Sequence, residues 1–377
     1  MLDSRTITKI TLLILLLGLS SFEALSADSQ CKDGIRLKTD LRGNFGPLRN
    51  QGRAGWCYAY ASADLAGEYL WQKGIGLDPR TATSQISAAA TALNYNEDAR
   101  DALLKTLRSS YFDSRADNKP SSSMPSTQEP EGGHALYALD KIFRSPICRT
   151  SQVSDDKEGL VNTKEAFGRL ATFLKWPSRS ELCVASGQLS GMFPTQNFED
   201  ISSALSSFMD TDPVAKLVSN ACGGNDLINE AQRPQIQYTP AGAHPGPLDA
   251  VDAQLKNHRS SIVDYDSMII GYHSFWHASV IVGSGVNCKT GEVEYLMRNS
   301  WGADGCRKIL VKDREKYREN LAFACRLSCP DESALCRSQC AEMAKAPSFR
   351  CTDDGHFIVP RALLKTTIKS STYLSGK

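Results

Sequence analysis

Three segments carry residue types that together can do nucleophilic chemistry. Cys57 lies in Asn50-Gln51-Gly52-Arg53-Ala54-Gly55-Trp56-Cys57-Tyr58-Ala59-Tyr60, where a glycine-containing turn gives way to an alanine-rich stretch that reads as a helix. A sulfur at the first turn of a helix sits beside unpaired N–H groups and the positive end of the dipole. Both stabilise a thiolate and lower a thiol pKa from about 8.5. The same cysteine also reads as a half-buried structural thiol or a disulfide partner. His277 heads the β-branched run Trp276-His277-Ala278-Ser279-Val280-Ile281-Val282-Gly283, which reads as a strand, and Arg298-Asn299-Ser300-Trp301-Gly302 sets an amide beside an indole.

In this order the segments resemble the papain family of cysteine peptidases, whose motifs run Gln-Gly-x-x-Gly-x-Cys-aromatic-Ala-aromatic, His-Ala-x-x-x-x-Gly and Asn-Ser-Trp-Gly. The resemblance covers roughly residues 38 to 312, with a large interruption. It implies an α+β, papain-like two-lobed fold. A helical lobe would carry Gln51 and Cys57, an antiparallel, β-barrel-like lobe would carry His277 and Asn299, and a cleft would run between them. It also implies roles for these residues. The Cys57 thiolate, paired with protonated His277, attacks a carbonyl to form an acyl-enzyme; His277 then protonates the leaving amine and later activates water. Asn299 accepts from the imidazole N–H and Trp301 shields that bond. Gln51, six residues before Cys57, faces the developing oxyanion beside the Cys57 N–H.

The resemblance extends to the substrate groove. Gly132 and Gly133 resemble the family's substrate-binding glycines, where bare backbone lies along an extended peptide, although a plain helix-start turn is the other reading. His134, Ala135, Phe275 and Trp276 would shape the pocket for the side chain preceding the scissile residue, which implies an apolar or aromatic preference. The family usually ties the active-site loop to the segment before the glycine pair by a disulfide. The matching positions are Ala54 and Pro130, so both partners are lost together and the loop is expected to be held by packing.

Composition sets the bounds. The chain has 377 residues, enough for one large or two ordinary domains, and a formal charge of +1 without any Lys/Arg block, which argues against nucleic-acid binding. Residues 1–27 read as a secretory signal: Arg5 and Lys9, an apolar run from Ile10 to Leu19, then small residues around Ala24-Leu25-Ser26-Ala27. The run is too short for a permanent span, so stable membrane insertion after cleavage is not expected, an uncleaved anchor being the alternative. Export to a secreted or periplasmic location is an oxidising context, which suits twelve cysteines. With Cys57 as nucleophile eleven remain, so one further thiol must be free, blocked or shared with another chain.

Along the chain, helices are expected over 57–73, 84–93 and 97–107, then an exposed loop over 110–131 punctuated by Pro120, Pro125 and Pro130. Residues 146–235 read as a mainly helical insertion, opened by Asn162-Thr163-Lys164-Glu165 with a further apolar stripe at Ile201, Leu205 and Phe208. It would either rim the cleft or stabilise the fold. Strands are expected at 262–265, 268–270, 277–282, 293–297 and 309–311. Residues 325–377 read as a Cys-rich C-terminal extension and structural appendage on a catalytic domain of 28–324. Its i, i+4 spacing allows Cys325–Cys340 and Cys329–Cys336 bridges or a Cys₄ zinc site.

The expected activity is that of an exported cysteine endopeptidase acting on protein or peptide substrates, with no cofactor and no metal. His273 and His277 on one strand face lie roughly 13 Å apart at a rise of about 3.3 Å per residue, too far for joint ligation. The rivals are a cell-wall amidase or transpeptidase using the same Cys-His chemistry, and a non-catalytic peptide-binding protein on a peptidase scaffold. The sequence leaves the oligomeric state open.

Overall fold

The computed structural model describes residues 31–52, 54–75, 78–98, 105, 132–155, 179–207, 211–224, 227–267, 276–312 and 349–376. Helix α1 (Cys57–Gln72) runs through the centre. Almost all of its side chains are buried, from Cys57, Tyr58 and Ala59 to Leu70, as expected of a helix apolar around its whole circumference. Alanines at 59, 61, 63 and 66 let neighbours approach closely. Helices α2 (Ala88–Tyr95) and α3 (Ala135–Arg144) pack on it, and α3 turns Ala138, Leu139, Ile142 and Phe143 inward with charge on its other face.

Three more helices follow, α4 (Arg179–Ser190), α5 (Phe198–Ser206) and α6 (Pro213–Cys222). Asn197 caps α5 by accepting from Asp200 N–H at 2.8 Å. Asp212 caps α6 by accepting from Val214 N–H at 2.9 Å, and Pro213 occupies the first turn, where no donor is needed. The Cys148–Cys222 disulfide ties α6 to the chain after α3. The helix expected from Asn162 lies outside the described residues.

The other half is an eight-stranded sheet built on β1 (Ile35–Asp40), β2 (Gln235–Pro240), β3 (Ser261–Asp266), β4 (Trp276–Asn287), β5 (Val293–Arg298), β6 (Arg350–Cys351), β7 (Phe357–Pro360) and β8 (Ile368–Ser375). Its order is β2-β8-β3-β4-β5-β7-β6, with β1 beside β4, and every strand pairing among the described residues is antiparallel. The fold is α+β, helices on one side and this sheet on the other. Strand β4 shares one edge between β3 and β1. The change of partner needs Gly283, where a Cβ would stand 2.6 Å from the Thr39 carbonyl oxygen. Helix α7 (Pro247–Lys256) packs on the sheet.

Two expectations are corrected. Residues 309–311 lie within a helix, α8 (Gly305–Lys312), where Cys306 and Ile309 share one face and Lys308 pairs with Asp304 at i, i+4. The supposed appendage is integral in its described part. Strands β6, β7 and β8 and helix α9 (Arg361–Thr367) come from residues 350–375, and β8 lies between β2 and β3. A second disulfide, Cys306–Cys351, fastens α8 to β6, and a third, Cys31–Cys288, fastens the chain before β1 to the end of β4. Among the described residues Cys57 and Cys183 are the free thiols, Cys183 being exposed on α4. The four cysteines at 325, 329, 336 and 340, and the bridges expected of them, lie outside the described residues, as do residues 1–27. No helix of the described residues is long and apolar enough to cross a membrane.

Candidate active site

The site forms where the start of α1 meets the start of β4. Cys57 is the first residue of α1 and is buried. The backbone N–H groups of Ala278, the residue after His277, and of Tyr58 and Cys57 itself all act to favour the ionised sulfur. The register that delivers His277 is set by β3: Tyr265 pairs with His277, so both rings project from one face and meet edge to face at 5.7 Å. The Tyr265 hydroxyl meets Ser279 Oγ at 3.0 Å.

Asn299, at the end of β5, fixes the imidazole. His277 Nε2 and Asn299 Oδ1 are 3.1 Å apart, and the Trp301 indole stacks on the His277 ring at 4.5 Å, closing the pair from water. An imidazole bound through Nε2 to an acceptor carries its proton there and leaves Nδ1, which is buried, as the basic nitrogen.

The loop before α1 is stitched to the loop after β5. Gln51 N–H donates to the Ser300 carbonyl at 2.7 Å, Gly302 N–H donates to the Arg49 carbonyl at 2.8 Å, and Asn50 bridges Trp301. The Gln51 side chain accepts from Ser300 Oγ and donates from Nε2 to the Ala54 carbonyl at 2.6 Å. An amide nitrogen has two hydrogens, so one donor remains after this bond. The sequence reading did not single out Ser300. Its place between Asn299 and Trp301 was the available signal.

Electrostatics depart from the helix-terminus expectation. Burial pushes the Cys57 thiol up to about 11, and the Asp264 carboxylate acts in the same direction, outweighing the three N–H groups. Burial likewise pushes His277 down to about 4 against the opposing Asn299 bond. Each group is therefore neutral at rest, the thiol at the start of α1 and the imidazole at the start of β4. Passing the sulfur's proton to the ring leaves the net charge at zero.

Gly132, Gly133 and His134 are exposed beside this site. Gly132 adopts φ +89°, a conformation that side chains disfavour, and a Cβ on Gly133 would stand 2.8 Å from the fully buried Tyr58 ring. Gly132 N–H donates to the Gly55 carbonyl at 3.0 Å, a backbone tie between the two segments that Ala54 and Pro130 leave unbridged. His134 faces Trp276 edge on at 6.2 Å, and Trp276 is 62% exposed. Ala135 points into the core instead, and its carbonyl accepts from Ser62 Oγ at 3.1 Å. Phe275 lies outside the described residues.

Sequence reasoning also missed a buried ionic network. Arg49 pairs with Asp64 at 2.7 Å and Asp155 at 2.8 Å, and Arg298 pairs with Asp64 at 2.8 Å. Asp155 in turn accepts the N–H groups of Ala88 and Ala89 at the start of α2. Among the described residues no group of three His, Cys, Asp or Glu side chains is placed to hold a metal ion.

No protein-family profile matches the chain, and neither does any curated protein. Solved structures do. A recombinant stem bromelain precursor matches at 13% identity and TM-score 0.38, over 89% of this chain and 69% of that one. The bromelain protease from Ananas comosus in complex with the E64 inhibitor matches at 12% and 0.37, over 90% and 98%. A digestive procathepsin L 3 from Tenebrio molitor larval midgut matches at 13% and 0.37, over 89% and 69%. These likenesses are distant, and the functional reading rests on the geometry above.

Proposed function

We propose that the chain is a papain-like cysteine peptidase that hydrolyses peptide bonds through a thioester intermediate. The observation that carries this reading is an imidazole held by Asn299 at 3.1 Å and stacked under Trp301 at 4.5 Å, with the neighbouring Ala278 N–H acting on the Cys57 sulfur at the start of α1. With Nε2 engaged, Nδ1 takes the thiol proton as sulfur attacks the scissile carbonyl. The carbonyl oxygen becomes an oxyanion, stabilised by the Cys57 N–H and the remaining Gln51 amide hydrogen. The C–N bond breaks as His277 returns the proton to the leaving amine, giving an acyl-thioester. A water then loses its proton to His277 and attacks, releasing the acid and regenerating the thiol. The exposed backbone at Gly132 and Gly133 would lie along the substrate main chain. The three disulfides among the described residues support a secreted or periplasmic setting.

The test is hydrolysis of denatured casein by the purified protein under a mild reductant, with one epoxysuccinyl inhibitor bound per chain by mass. Cys57→Ala should lose both turnover and adduct. Unchanged turnover in that variant rejects the mechanism, and cleavage confined to cell-wall amides would move the substrate class to the amidase alternative.

A further inference from the structure

One carboxylate beside the thiol takes no part in the proposed chemistry. Asp264 of β3 lies cross-strand from Ala278 of β4 and from Ser370 of β8, so the three side chains form a row on one sheet face. Ala278 directly follows His277 in β4, and both its N–H and the Asp264 carboxylate act on the Cys57 sulfur, which places the row close to the thiol. Ser370 Oγ donates to Asp264 Oδ2 at 2.6 Å. No lysine or arginine among the described residues pairs with Asp264. The carboxylate is only partly exposed, and small side chains flank it on both sides. His134, beside the glycine pair, is the cation-capable group whose charge reaches it.

Desolvating a carboxylate with no lysine or arginine partner among the described residues is unfavourable, and an incoming ammonium or guanidinium relieves it with a charge-assisted hydrogen bond. Asp264 keeps part of its surface exposed between the buried Ala278 and Ser370, and that surface is where a cationic side chain would reach it. We infer that Asp264 forms the floor of a substrate subsite beside Cys57 that takes a cationic side chain, lysine or arginine. This rests on the peptidase reading and replaces the apolar or aromatic preference expected from His134, Ala135, Phe275 and Trp276. It also couples recognition to chemistry. The Asp264 charge opposes ionisation of Cys57, so a substrate cation that neutralises it favours the thiolate.

The experiment uses fluorogenic peptide amides that differ only by arginine or leucine at each position before the scissile bond, with wild-type protein, Asp264→Asn and Asp264→Glu. At one position the arginine-to-leucine ratio of kcat/KM should be roughly 10–100 in wild type, given the usual strength of a hydrogen bond to a charged group. That ratio should fall toward unity in Asp264→Asn and persist in Asp264→Glu. A wild-type ratio near or below one at every position, or the same ratio in Asp264→Asn, overturns the inference. Binding of the same labelled peptides to Cys57→Ala, with and without Asp264→Asn, separates the two readings. Selective binding of arginine peptides that Asp264→Asn abolishes, in a protein whose wild type shows no turnover, supports the subsite and overturns only the peptidase reading; equal binding without turnover overturns both.

Discussion

Arg298 Nε donates to Asp64 Oδ2 across 2.8 Å, so the residue next to Asn299 is joined to the helix that begins with Cys57. Asp64 also holds Arg49, whose carbonyl accepts from Gly302 N–H. One carboxylate thus sets the distance between the strand end carrying Asn299 and the helix carrying the thiol. Removing it leaves two guanidinium groups buried short of their charge partner. Asp64→Ala should lower unfolding free energy by about 3–5 kcal/mol, read from urea denaturation midpoints. A loss below about 1 kcal/mol would show that solvent reaches the network.

The pH–rate profile should be a broad bell. With His277 pushed down to about 4 and Cys57 up to about 11, the pair holds one shared proton between those limits. The neutral pair and the thiolate–imidazolium pair contain the same number of protons, so either form occupies the same window. Measured kcat/KM should fall below about pH 4, as a second proton binds the pair, and stay flat through neutrality. A single rise centred near a free thiol's pKa of about 8.5 would contradict a coupled pair.

Glu68 gives a stability signature. It is buried in α1, accepts from Asn44 Nδ2 at 2.9 Å and from Ser260 N–H at 3.3 Å, and burial pushes it up to about 7 from 4.5. A carboxyl raised in the folded state costs nothing while both states are protonated, then destabilises as pH climbs from the unfolded value to the folded one. Glu68→Gln should therefore gain stability relative to wild type by up to about 3 kcal/mol between pH 4.5 and 7.5, whatever its offset at low pH. Thermal melts across that range read the difference directly. A difference that does not change with pH would place the Glu68 titration elsewhere.

Gly133→Ala tests the groove. The added methyl meets a Tyr58 ring that is fully buried and so cannot swing aside. Overpacking of this kind costs about 1–3 kcal/mol, and relief by shifting the backbone moves the edge proposed to carry the substrate main chain. A raised KM should accompany a lowered melting temperature. Gly133→Ala combined with Tyr58→Leu should recover part of the stability, which a double-mutant cycle would show.

The elements nearest the chemistry were legible because their signals are local. The alanine-rich run after Cys57 specifies a buried helix, and the β-branched run after His277 a strand. Residues 309–311 misled because a short apolar run fits either period, and the bridge from Cys306 to Cys351 that sets the helix face is a long-range event. Asp64, Asp155 and Asp264 were invisible for the same reason. Each looks like a surface acid until strands and loops far away in sequence surround it. The thiol's upward shift was missed because helix-end stabilisation is readable from spacing, whereas burial depends on the whole fold.

Strand β8 fills the slot between β2 and β3. During synthesis, then, β3 must wait with one edge open until residues 368–375 emerge, more than a hundred positions later. Late pairing of this kind is slow, because chain closure is paid for before any contact forms. A ribosome-bound chain that stops short of β8 would display β3, with Asp264 and Tyr265 on it, as an unsatisfied template. The nascent chain would stay sensitive to added protease until its last strand docks.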